Sequence, residues 1–200
     1  MRVALVSQRV DILAERGERR DALDQRLLDW VASHELLPVP VPNRLERLDE
    51  LWTQLTPAAV VLSGGNDLAE YGGDAPERDA VERALLARAL TERVPLFALC
   101  RGAQLLLDAF GNRLERVAGH VGTRHRLAIE GGEFEVNSFH QWGCRSLVAP
   151  LEVLARSEDG VIEAFFHQQL PVLGVMWHPE REAPFTELDS LLLNRCLNKE

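Results

Sequence analysis

Three residues of the sequence, Cys100, His178 and Glu180, together have the chemistry of a nucleophilic triad. A cysteine thiolate attacks a carbonyl carbon, and a histidine imidazole moves the proton between the attacking and leaving groups. A carboxylate holds the imidazole in its productive orientation. The set predicts covalent hydrolysis of an amide, provided that the fold brings the three side chains together.

The segment around Cys100 predicts a sharp turn between a buried strand and a helix. Residues 96–99 are apolar, and a segment with helical character begins at Arg101. A residue at such a turn is exposed to substrate, and it lies at the positive end of the helix, which stabilises a thiolate. The small residues Ala98 and Gly102 suit a crowded backbone. The alternative is a small buried core residue, which is common for cysteine.

His178 and Glu180 follow a second buried strand, predicted at residues 172–176. Neighbouring strands of a parallel sheet end at the same edge, where such folds bind ligands. Cys100 and His178 can therefore meet although they are far apart in the sequence. Pro179 restricts the backbone between the imidazole and the carboxylate. A lone histidine after a strand is usually structural, but a His-Pro-Glu run downstream of a nucleophile turn is a more specific signal.

Two backbone segments are predicted to stabilise the negative charge that attack on an amide places on the carbonyl oxygen. The N–H of Arg101, next to the nucleophile, is one predicted donor. The second is predicted from Gly65, in the loop at residues 63–66 that follows another buried strand. Paired glycines alone are a weak signal, because many turns contain them. Their position directly after a strand makes the signal stronger.

Two further groups are predicted to bind substrate. Gln104 lies four residues after Cys100 on the same helical face, so its amide can extend over the nucleophile. The run Asn137-Ser138-Phe139-His140-Gln141 is too polar for a core element and predicts a loop that holds a polar substrate head. A surface glutamine is the alternative for Gln104, and a structural role is the alternative for His140.

The elements that would position these residues alternate between short apolar runs and amphipathic segments. This order predicts a flavodoxin-like three-layer α/β sandwich, with a mostly parallel sheet, helices on both faces and a small antiparallel hairpin region. The predicted strands are 3–6, 37–41, 59–62, 96–99 and 172–176, and the predicted helices are 21–34, 45–55, 76–92, 101–110 and 187–197. Hairpins are predicted from strands 127–129 with 134–136, around Glu130-Gly131-Gly132-Glu133, and from 153–156 with 162–166. No linker interrupts the chain, so residues 1–200 are assigned to one domain.

The composition is that of a globular protein, with 46% hydrophobic and 26% charged residues. A formal net charge of −9 argues against nonspecific nucleic-acid binding, which depends on neutralising phosphates. No apolar stretch approaches the ~20 residues of a membrane span. Three cysteines without a CxxC pair argue against disulfides and structural zinc, and they predict a cytoplasmic protein.

In combination, four motifs resemble the class I glutamine amidotransferase superfamily, especially its free-standing gamma-glutamyl hydrolase branch. In family order they are Leu62-Ser63-Gly64-Gly65-Asn66-Asp67, Cys100-Arg101-Gly102-Ala103-Gln104, Val136-Asn137-Ser138-Phe139-His140-Gln141 and Met176-Trp177-His178-Pro179-Glu180. Ala98 departs from the pattern, because the family usually has glycine there; alanine is small enough for only modest strain.

The resemblance implies a Cys-His-Glu triad, a gamma-glutamyl thioester intermediate and an oxyanion hole from Gly65 and Arg101. It also implies that Gln104 and the Asn137-Ser138 loop hold the glutamyl head of a small-molecule substrate. It implies no metal and no organic cofactor.

A narrower resemblance lies at the N-terminus, in Ser7-Gln8-Arg9-Val10-Asp11 and in Glu18-Arg19-Arg20-Asp21-Ala22-Leu23-Asp24-Gln25. These segments look like those of the branch that hydrolyses gamma-glutamyl-CDP-amidate in capsule phosphoramidate synthesis. The resemblance implies release of glutamate and cytidine diphosphoramidate, and it gives Arg9 and Arg20 a role in phosphate binding. The alternative is that the arginines of this region form a solvated charge run.

The sequence leaves open the amine side of the substrate and the oligomeric state, with a homodimer among the compatible states. The same triad would serve a glutaminase subunit that passes ammonia to a separate synthetase. It would also serve a hydrolase of gamma-glutamyl conjugates of polyamines or GABA. The three triad residues disfavour a non-catalytic binding module.

Overall fold

The computed structural model of the protein describes residues 2–129 and 132–198. The strands are β1 Arg2–Ser7, β2 Arg9–Leu13, β3 Glu18–Ala22, β4 Leu36–Val41, β5 Ala59–Leu62, β6 Leu96–Leu99, β7 Glu115–Arg116, β8 Val121–Ile129, β9 Gly132–Phe139, β10 Trp142–Gly143, β11 Leu151–Arg156, β12 Ile162–His167 and β13 Val172–Val175. The α-helices are α1 Gln25–Ala32, α2 Leu48–Leu55, α3 Pro76–Glu92, α4 Arg101–Ala109 and α5 Glu187–Leu197. Within the described ranges, none of the helices combines the length and hydropathy of a bilayer span.

A seven-stranded sheet in the order β11-β12-β13-β6-β5-β1-β4 forms the centre of the molecule. The strands from β13 to β4 run parallel, and β12 and β11 extend the sheet with antiparallel pairs. The central strands β5, β6 and β13 are buried along their whole length. Burial on both faces explains why their sequences are continuous apolar runs without alternation.

Helices cover both faces of this sheet. On one face, α1 and α5 pack through buried side chains such as Trp30 and Leu192. On the other, α2, α3 and α4 pack through side chains such as Trp52, Leu85 and Leu106. Each such burial contributes about 1.5–3 kcal/mol to folding. The predicted three-layer α/β sandwich is confirmed.

Small antiparallel pairs lie outside the central sheet, namely β2–β3, β7–β10 and β8–β9. The pair β8–β9 confirms the hairpin predicted around residues 127–136, with strands longer than predicted. Its predicted turn residues Glu130 and Gly131 lie outside the described residues. The hairpin predicted at 153–166 is also confirmed, as β11 and β12 at the edge of the central sheet.

The helix predicted at residues 21–34 is wrong at its start. Residues 21–22 belong to β3, which pairs with β2 as a hairpin, and the helix begins only at Gln25. The Asp24 carboxylate accepts a hydrogen bond from Arg26 N at 3.0 Å and caps α1. The apolar residues continue at helical spacing on the N-terminal side of the cap. Because this spacing does not mark where a helix begins, the predicted start was too early.

The C-terminal ends of β1, β5, β6 and β13 lie at one edge of the sheet, because these strands run parallel. Cys100 directly follows β6, and His178 follows β13 by three residues. The loop at residues 63–66 follows β5, which lies between β6 and β1 in the sheet. The polar residues that end these strands are therefore brought to one place.

Candidate active site

Cys100 occupies the turn between β6 and α4, where its sequence position predicts it. Its backbone has φ 49° and ψ −110°, a conformation that L-residues rarely adopt. The turn is held from both sides, since Cys100 N donates to Val175 O at 2.8 Å and Cys100 O accepts from Gln104 N at 3.0 Å. Strain that the surrounding structure holds in this way is typical of functional sites.

The packing behind Cys100 requires glycine at position 102. A Cβ on Gly102 would lie 2.4 Å from the Leu62 carbonyl oxygen of β5, so α4 begins with its backbone against the neighbouring strand. Ala98, which stands where the family usually has glycine, is completely buried in β6. The sheet thus accepts a methyl group at position 98 but has no space for one at 102.

The structure brings Cys100, His178 and Glu180 together at the sheet edge. His178 Nδ1 lies 2.6 Å from Glu180 Oε1, and the His178 side chain also hydrogen-bonds with Cys100. Gly64 passes the same ring so closely that a Cβ there would lie 2.6 Å from His178 Cε1. All three side chains belong to residues with at most 6% exposure, so bulk water screens their charges little.

The electrostatics of this group favour the protonated form of the His178 imidazole. Burial alone would lower the pKa of His178, but the charge of the Cys100 thiolate, the hydrogen bond to it and the Glu180 carboxylate raise that pKa to about 9. At neutral pH the imidazole therefore carries its proton while it faces Cys100.

Asn137 positions His178 through the backbone. Asn137 Oδ1 accepts from His178 N at 3.0 Å, and Asn137 Nδ2 donates to His178 O at 2.8 Å. The same Nδ2 donates to Glu182 Oε1 at 2.8 Å. These contacts occupy both ends of the amide. In the structure the side chain therefore holds the backbone of His178, and the substrate-binding role expected for Asn137 stays a prediction.

The loop after β5 is held from behind by the fully buried guanidinium of Arg78. Arg78 donates to Ser63 O at 2.7 Å and to Gly64 O at 3.0 Å, and it also donates to Gly65 O. In a planar trans peptide the N–H points opposite to the carbonyl. The Gly65 N–H, which shares a peptide with Gly64 O, therefore points away from Arg78. It is available to an oxyanion, the role predicted for it.

Arg101 contributes to the site through two different groups. It is the first residue of α4, and the first N–H groups of a helix have no partner within the helix, so its N–H stays available beside Cys100. Its guanidinium is turned inward, where it forms ion pairs with Asp79 and Glu82. Burial lowers the pKa of Arg101 and that of Arg78, the latter to about 9. The paired charges of α3 and α4 thus hold the loop and the turn together.

A cavity of about 580 Å³ opens in front of the thiol. Its lining residues are Gly65, Asn66, Asp67, Cys100, Arg101, Gln104, Val121, Phe139, His140, Gln141, His178 and Arg181. Gln104 Nε2 donates to Trp142 O at 3.1 Å, and His140 Nδ1 lies 3.1 Å from the same oxygen. One backbone carbonyl therefore orients two of the side chains predicted to bind substrate.

Ser138 and Arg20 are not among the residues that line this cavity. Ser138 is completely buried, and its Oγ donates to His120 O at 2.8 Å. Arg20 lies on the β2–β3 hairpin, pairs with Glu18 and has a side chain that is 52% exposed. Their positions do not support the substrate-binding roles expected for them.

Arg9 lies beside the oxyanion loop, at a smaller cavity next to the first. A Cβ on Gly65 would lie 3.0 Å from Arg9 Cδ, so the two residues are in contact. This second cavity is also lined by His178 and Glu180. Arg9 Nε pairs with Asp11 at 2.9 Å, and its side chain remains half exposed. Of the two arginines expected to bind phosphates, Arg9 is the one that the structure places next to the site.

Arg78, Asp67 and Arg181 belong to this site and were not predicted as functional residues. Asp67 and Arg181 line the main cavity with opposite charges, and the Arg181 guanidinium lies 4.6 Å from the Phe139 ring centroid. The sequence carried one usable signal for Arg78. Arg78 and Glu82 are spaced i,i+4 on the apolar face of α3, and they form a buried ion pair. Charged residues are almost never fully buried unless they are paired, so charges on an apolar helix face are a signal of such a pair.

The chain matches the model of the Peptidase C26 family over residues 5–180. It is 33% identical over 183 residues to the gamma-glutamyl-CDP-amidate hydrolase of Campylobacter jejuni, covering 88% of this chain and 89% of that protein. It is 31% identical over 206 residues to the gamma-glutamyl-gamma-aminobutyrate hydrolase PuuD of Escherichia coli K12, covering 82% and 81%.

Solved structures share the fold at low sequence identity. A putative GMP synthase subunit of Thermoplasma acidophilum has a TM-score of 0.74 at 17% identity, covering 98% of this chain and 92% of that one. A glutamine amidotransferase of Thermotoga maritima has a TM-score of 0.68 at 16% identity, covering 98% and 96%. These likenesses show the fold alone. The family match and the two sequence relatives show that the chain belongs to the Peptidase C26 family and is a hydrolase acting on amide bonds.

Proposed function

We propose that this protein hydrolyses the amide bond of a gamma-glutamyl compound, with Cys100 as nucleophile, His178 as proton carrier and Glu180 as the orienting carboxylate. The observation that carries the proposal is the buried 2.6 Å contact between His178 Nδ1 and Glu180 Oε1, beside a thiol that opens on a cavity. Both named sequence relatives are gamma-glutamyl hydrolases, which supports the substrate class.

In the first half of the reaction, the Cys100 thiolate forms a C–S bond to the gamma-carbonyl carbon. The carbonyl oxygen becomes an oxyanion that faces the N–H groups of Gly65 and Arg101. The tetrahedral intermediate then collapses and the C–N bond breaks, while the His178 imidazolium donates its proton to the leaving nitrogen. The product of this half is a gamma-glutamyl thioester and a neutral His178.

In the second half, neutral His178 takes a proton from a water molecule as the water oxygen attacks the thioester carbon. The new tetrahedral intermediate collapses with cleavage of the C–S bond. Glutamate leaves, and the Cys100 thiolate and the His178 imidazolium are restored for the next cycle. The reaction needs no cofactor in this form.

We assign the glutamyl head to the part of the main cavity that bears Asp67, Gln104, His140 and Arg181. An α-amino acid head carries an ammonium and a carboxylate, and Asp67 and Arg181 offer the opposite charge to each. This assignment replaces the Asn137-Ser138 loop expected from the sequence, because those two side chains bind protein groups.

For the amine side we propose CDP-amidate, so that the products are glutamate and cytidine diphosphoramidate. The name of the C. jejuni relative gives gamma-glutamyl-CDP-amidate as its substrate. Arg9 supports the assignment, because its half-exposed guanidinium lies against Gly65 and guanidinium groups bind phosphate oxygens in pairs. Gamma-glutamyl-GABA is the second candidate substrate. The E. coli relative is named as a hydrolase of that compound, and its 31% identity to this chain is nearly as high as the 33% of the C. jejuni relative.

We place the reaction in the reducing cytosol, and we leave the homodimer as a state to be measured. No disulfide joins Cys100, Cys144 or Cys196. A reducing compartment protects a reactive thiolate from oxidation.

A parallel substrate assay tests the proposal. The purified protein is offered gamma-glutamyl-CDP-amidate, gamma-glutamyl-GABA, a gamma-glutamyl polyamine and glutamine, and released glutamate is measured. We expect kcat/KM to be highest for the nucleotide, by about 10- to 100-fold, the worth of one or two charge-assisted contacts. Preference for a simple amine conjugate would reject CDP-amidate. Glutamine hydrolysis that rises strongly only with an added synthetase would support the glutaminase alternative.

Two arginines of the same hairpin provide a matched pair of variants. Arg9→Ala should lower kcat/KM for the nucleotide by about 10- to 100-fold and for gamma-glutamyl-GABA much less. Arg20→Ala should change neither, because its side chain is paired with Glu18 away from both cavities. Equal losses in the two variants, or an Arg9 effect that is the same for both substrates, would contradict the phosphate role of Arg9.

A further inference from the structure

A buried cluster of imidazoles and one carboxylate lies behind the substrate cavity, and of its members only His140 also lines that cavity. His120 precedes β8, His125 lies within β8, His140 follows β9 and Glu163 lies in β12. His120, His140 and Glu163 are at most 3% exposed. The His120 ring centroid lies 4.2 Å from that of His125 and 4.8 Å from that of His140. Three separate segments of the chain thus bring metal-ligating side chains to one point.

Two inward-facing atoms of this cluster lack any polar partner among the described residues. His120 Nδ1 lies 3.0 Å and His140 Nε2 lies 3.4 Å from Glu163 Oε1, so both imidazoles face that one carboxylate oxygen. His125 Nε2 and Glu163 Oε2 are buried without a hydrogen-bond partner. Buried polar atoms in folded proteins are nearly always paired. Two unpaired atoms beside two further imidazoles indicate a ligand that binds several of these groups together.

The outward-facing nitrogens of two of the histidines are oriented by acceptors. His120 Nε2 lies 3.3 Å from Asp159 Oδ2, and His140 Nδ1 lies 3.1 Å from Trp142 O. A histidine that ligates a metal through one nitrogen almost always donates its other N–H to a carboxylate or a carbonyl. The arrangement at His120, with a carboxylate behind the ring, has this form.

We propose that His120, His125 and Glu163 bind a divalent transition-metal ion, with Zn²⁺ the best match, and that His140 is the fourth ligand. One ligand atom from each of the first three lies within 4.8 Å of the others. Zinc ligands at about 2.0–2.2 Å from the ion lie about 3.3–3.6 Å apart in a tetrahedron, so small side-chain rotations complete the site. Imidazole and carboxylate ligands suit Zn²⁺ better than Mg²⁺ or Ca²⁺.

The proposed metal site is open to solvent on one side, and a bound ion would link separate segments of the chain. A surface cavity of about 380 Å³ is lined by His120, His125 and Asp159, so the site is accessible from outside. The ion would join β8, β12 and the segment after β9 at one point. His140 also lines the substrate cavity, so the metal would fix one wall of that cavity without touching the scissile bond. The family resemblance implied no metal, so this site extends what the sequence predicted.

Zinc binding to a variant that lacks the active-site thiol tests the proposal. Cys100→Ala is the parent for all measurements, because Cys100 with His178 could itself bind zinc. After dialysis against EDTA, calorimetric titration with ZnCl₂ should give one ion per chain, and native mass spectrometry should show the same stoichiometry. Saturating zinc should raise the melting temperature by mass action.

Ligand and control variants decide the outcome. In the Cys100→Ala parent, His125→Asn and Glu163→Gln should abolish stoichiometric binding, and Asp159→Asn should weaken it by about 10- to 100-fold. His34→Asn, which removes a histidine that follows α1, should bind as the parent does. His125 is the less buried ligand, so His125→Asn keeps the test valid if Glu163→Gln does not fold. A parent without stoichiometric binding, or a His125→Asn variant that binds normally, would overturn the proposal.

Discussion

His178 Nδ1 lies 2.6 Å from Glu180 Oε1, and neither side chain is more than 4% exposed. With so little water around the pair, the carboxylate fixes the orientation of the ring and stabilises its charged form. Burial opposes that charge, but the Cys100 thiolate and Glu180 outweigh it and raise the pKa of His178 to about 9. We therefore expect the protonation of this imidazole to control activity in the alkaline range.

The first prediction concerns pH. We expect kcat/KM for a gamma-glutamyl amide to fall as the pH rises through about 9, because His178 then loses the proton that it donates to the leaving nitrogen. In Glu180→Gln one negative charge that raises the pKa of His178 is gone, so the alkaline limb should move to lower pH. The measurement is the pH–rate profile of both proteins. An alkaline limb at the same pH in Glu180→Gln would count against the role of the carboxylate.

The second prediction concerns the close approach of Gly64 to the imidazole. A Cβ at this position would lie 2.6 Å from His178 Cε1, so Gly64→Ala must displace the ring. Displacement of a reacting group by about 1 Å costs about 100-fold in rate, and we expect kcat to fall by that order. The melting temperature should change far less than kcat. Wild-type kcat in Gly64→Ala would show that the ring position seen here is not needed.

The third prediction separates two roles for Asn137. Because its amide bonds both backbone groups of His178, Asn137→Ala should lower kcat and leave KM for the substrate nearly unchanged. Leaving the buried His178 N–H unpaired should also lower the free energy of unfolding by about 1–3 kcal/mol. Steady-state kinetics and denaturant titration measure the two effects. A large rise in KM at constant kcat would restore the substrate-binding role expected from the sequence.

The fourth prediction concerns Arg78, which positions the oxyanion loop. Lysine keeps the positive charge, but its one nitrogen cannot replace Nη2 on Ser63 and Gly64, Nη1 on Gly65 and Nε on Glu82 all at once. We expect Arg78→Lys to lower kcat by about 100-fold, the order seen when one oxyanion donor is lost. Arg88→Lys on the same helix is the matched control and should keep full activity. Equal activity of the two variants would remove the positioning role.

The fifth prediction compares the thiols of Cys100 and Cys144. Iodoacetamide near neutral pH should alkylate Cys100 much faster than Cys144, because Cys100 opens on the cavity and faces His178. Burial raises the pKa of Cys144 to about 11, which keeps that thiol protonated and unreactive. Peptide mapping after timed exposure gives the order of labelling. Alkylation of Cys144 as fast as that of Cys100 would contradict this difference.

The strand ends could be predicted from the sequence, because each buried strand is a short apolar run with a chemically active residue within the next three positions. Cys100 and His178 could therefore be placed at one sheet edge without knowledge of the strand order. Gly65 could be added for the same reason. The assignment of all 200 residues to one domain stays a prediction.

Other features depended on contacts that no local pattern encodes. Asn137 and Ser138 were assigned to a substrate loop because they are polar, whereas in β9 they bond to backbone groups of distant segments. Arg78 was missed because its partners lie 13 to 15 positions upstream, in the loop after β5. The β2–β3 hairpin was missed because its second strand, Glu18–Ala22, lacks apolar alternation.

The central claim is that the sulfur of Cys100 bonds to the glutamyl carbon during turnover. Rapid acid quench of the protein with a gamma-glutamyl substrate, followed by peptide mass mapping, tests it most directly. We predict a glutamyl adduct on the peptide that contains Cys100 and none on Cys144 or Cys196. Glutamate release by Cys100→Ala should fall about 10⁴-fold or more. An adduct on another residue, or glutamate release by Cys100→Ala at the wild-type rate, would contradict the account.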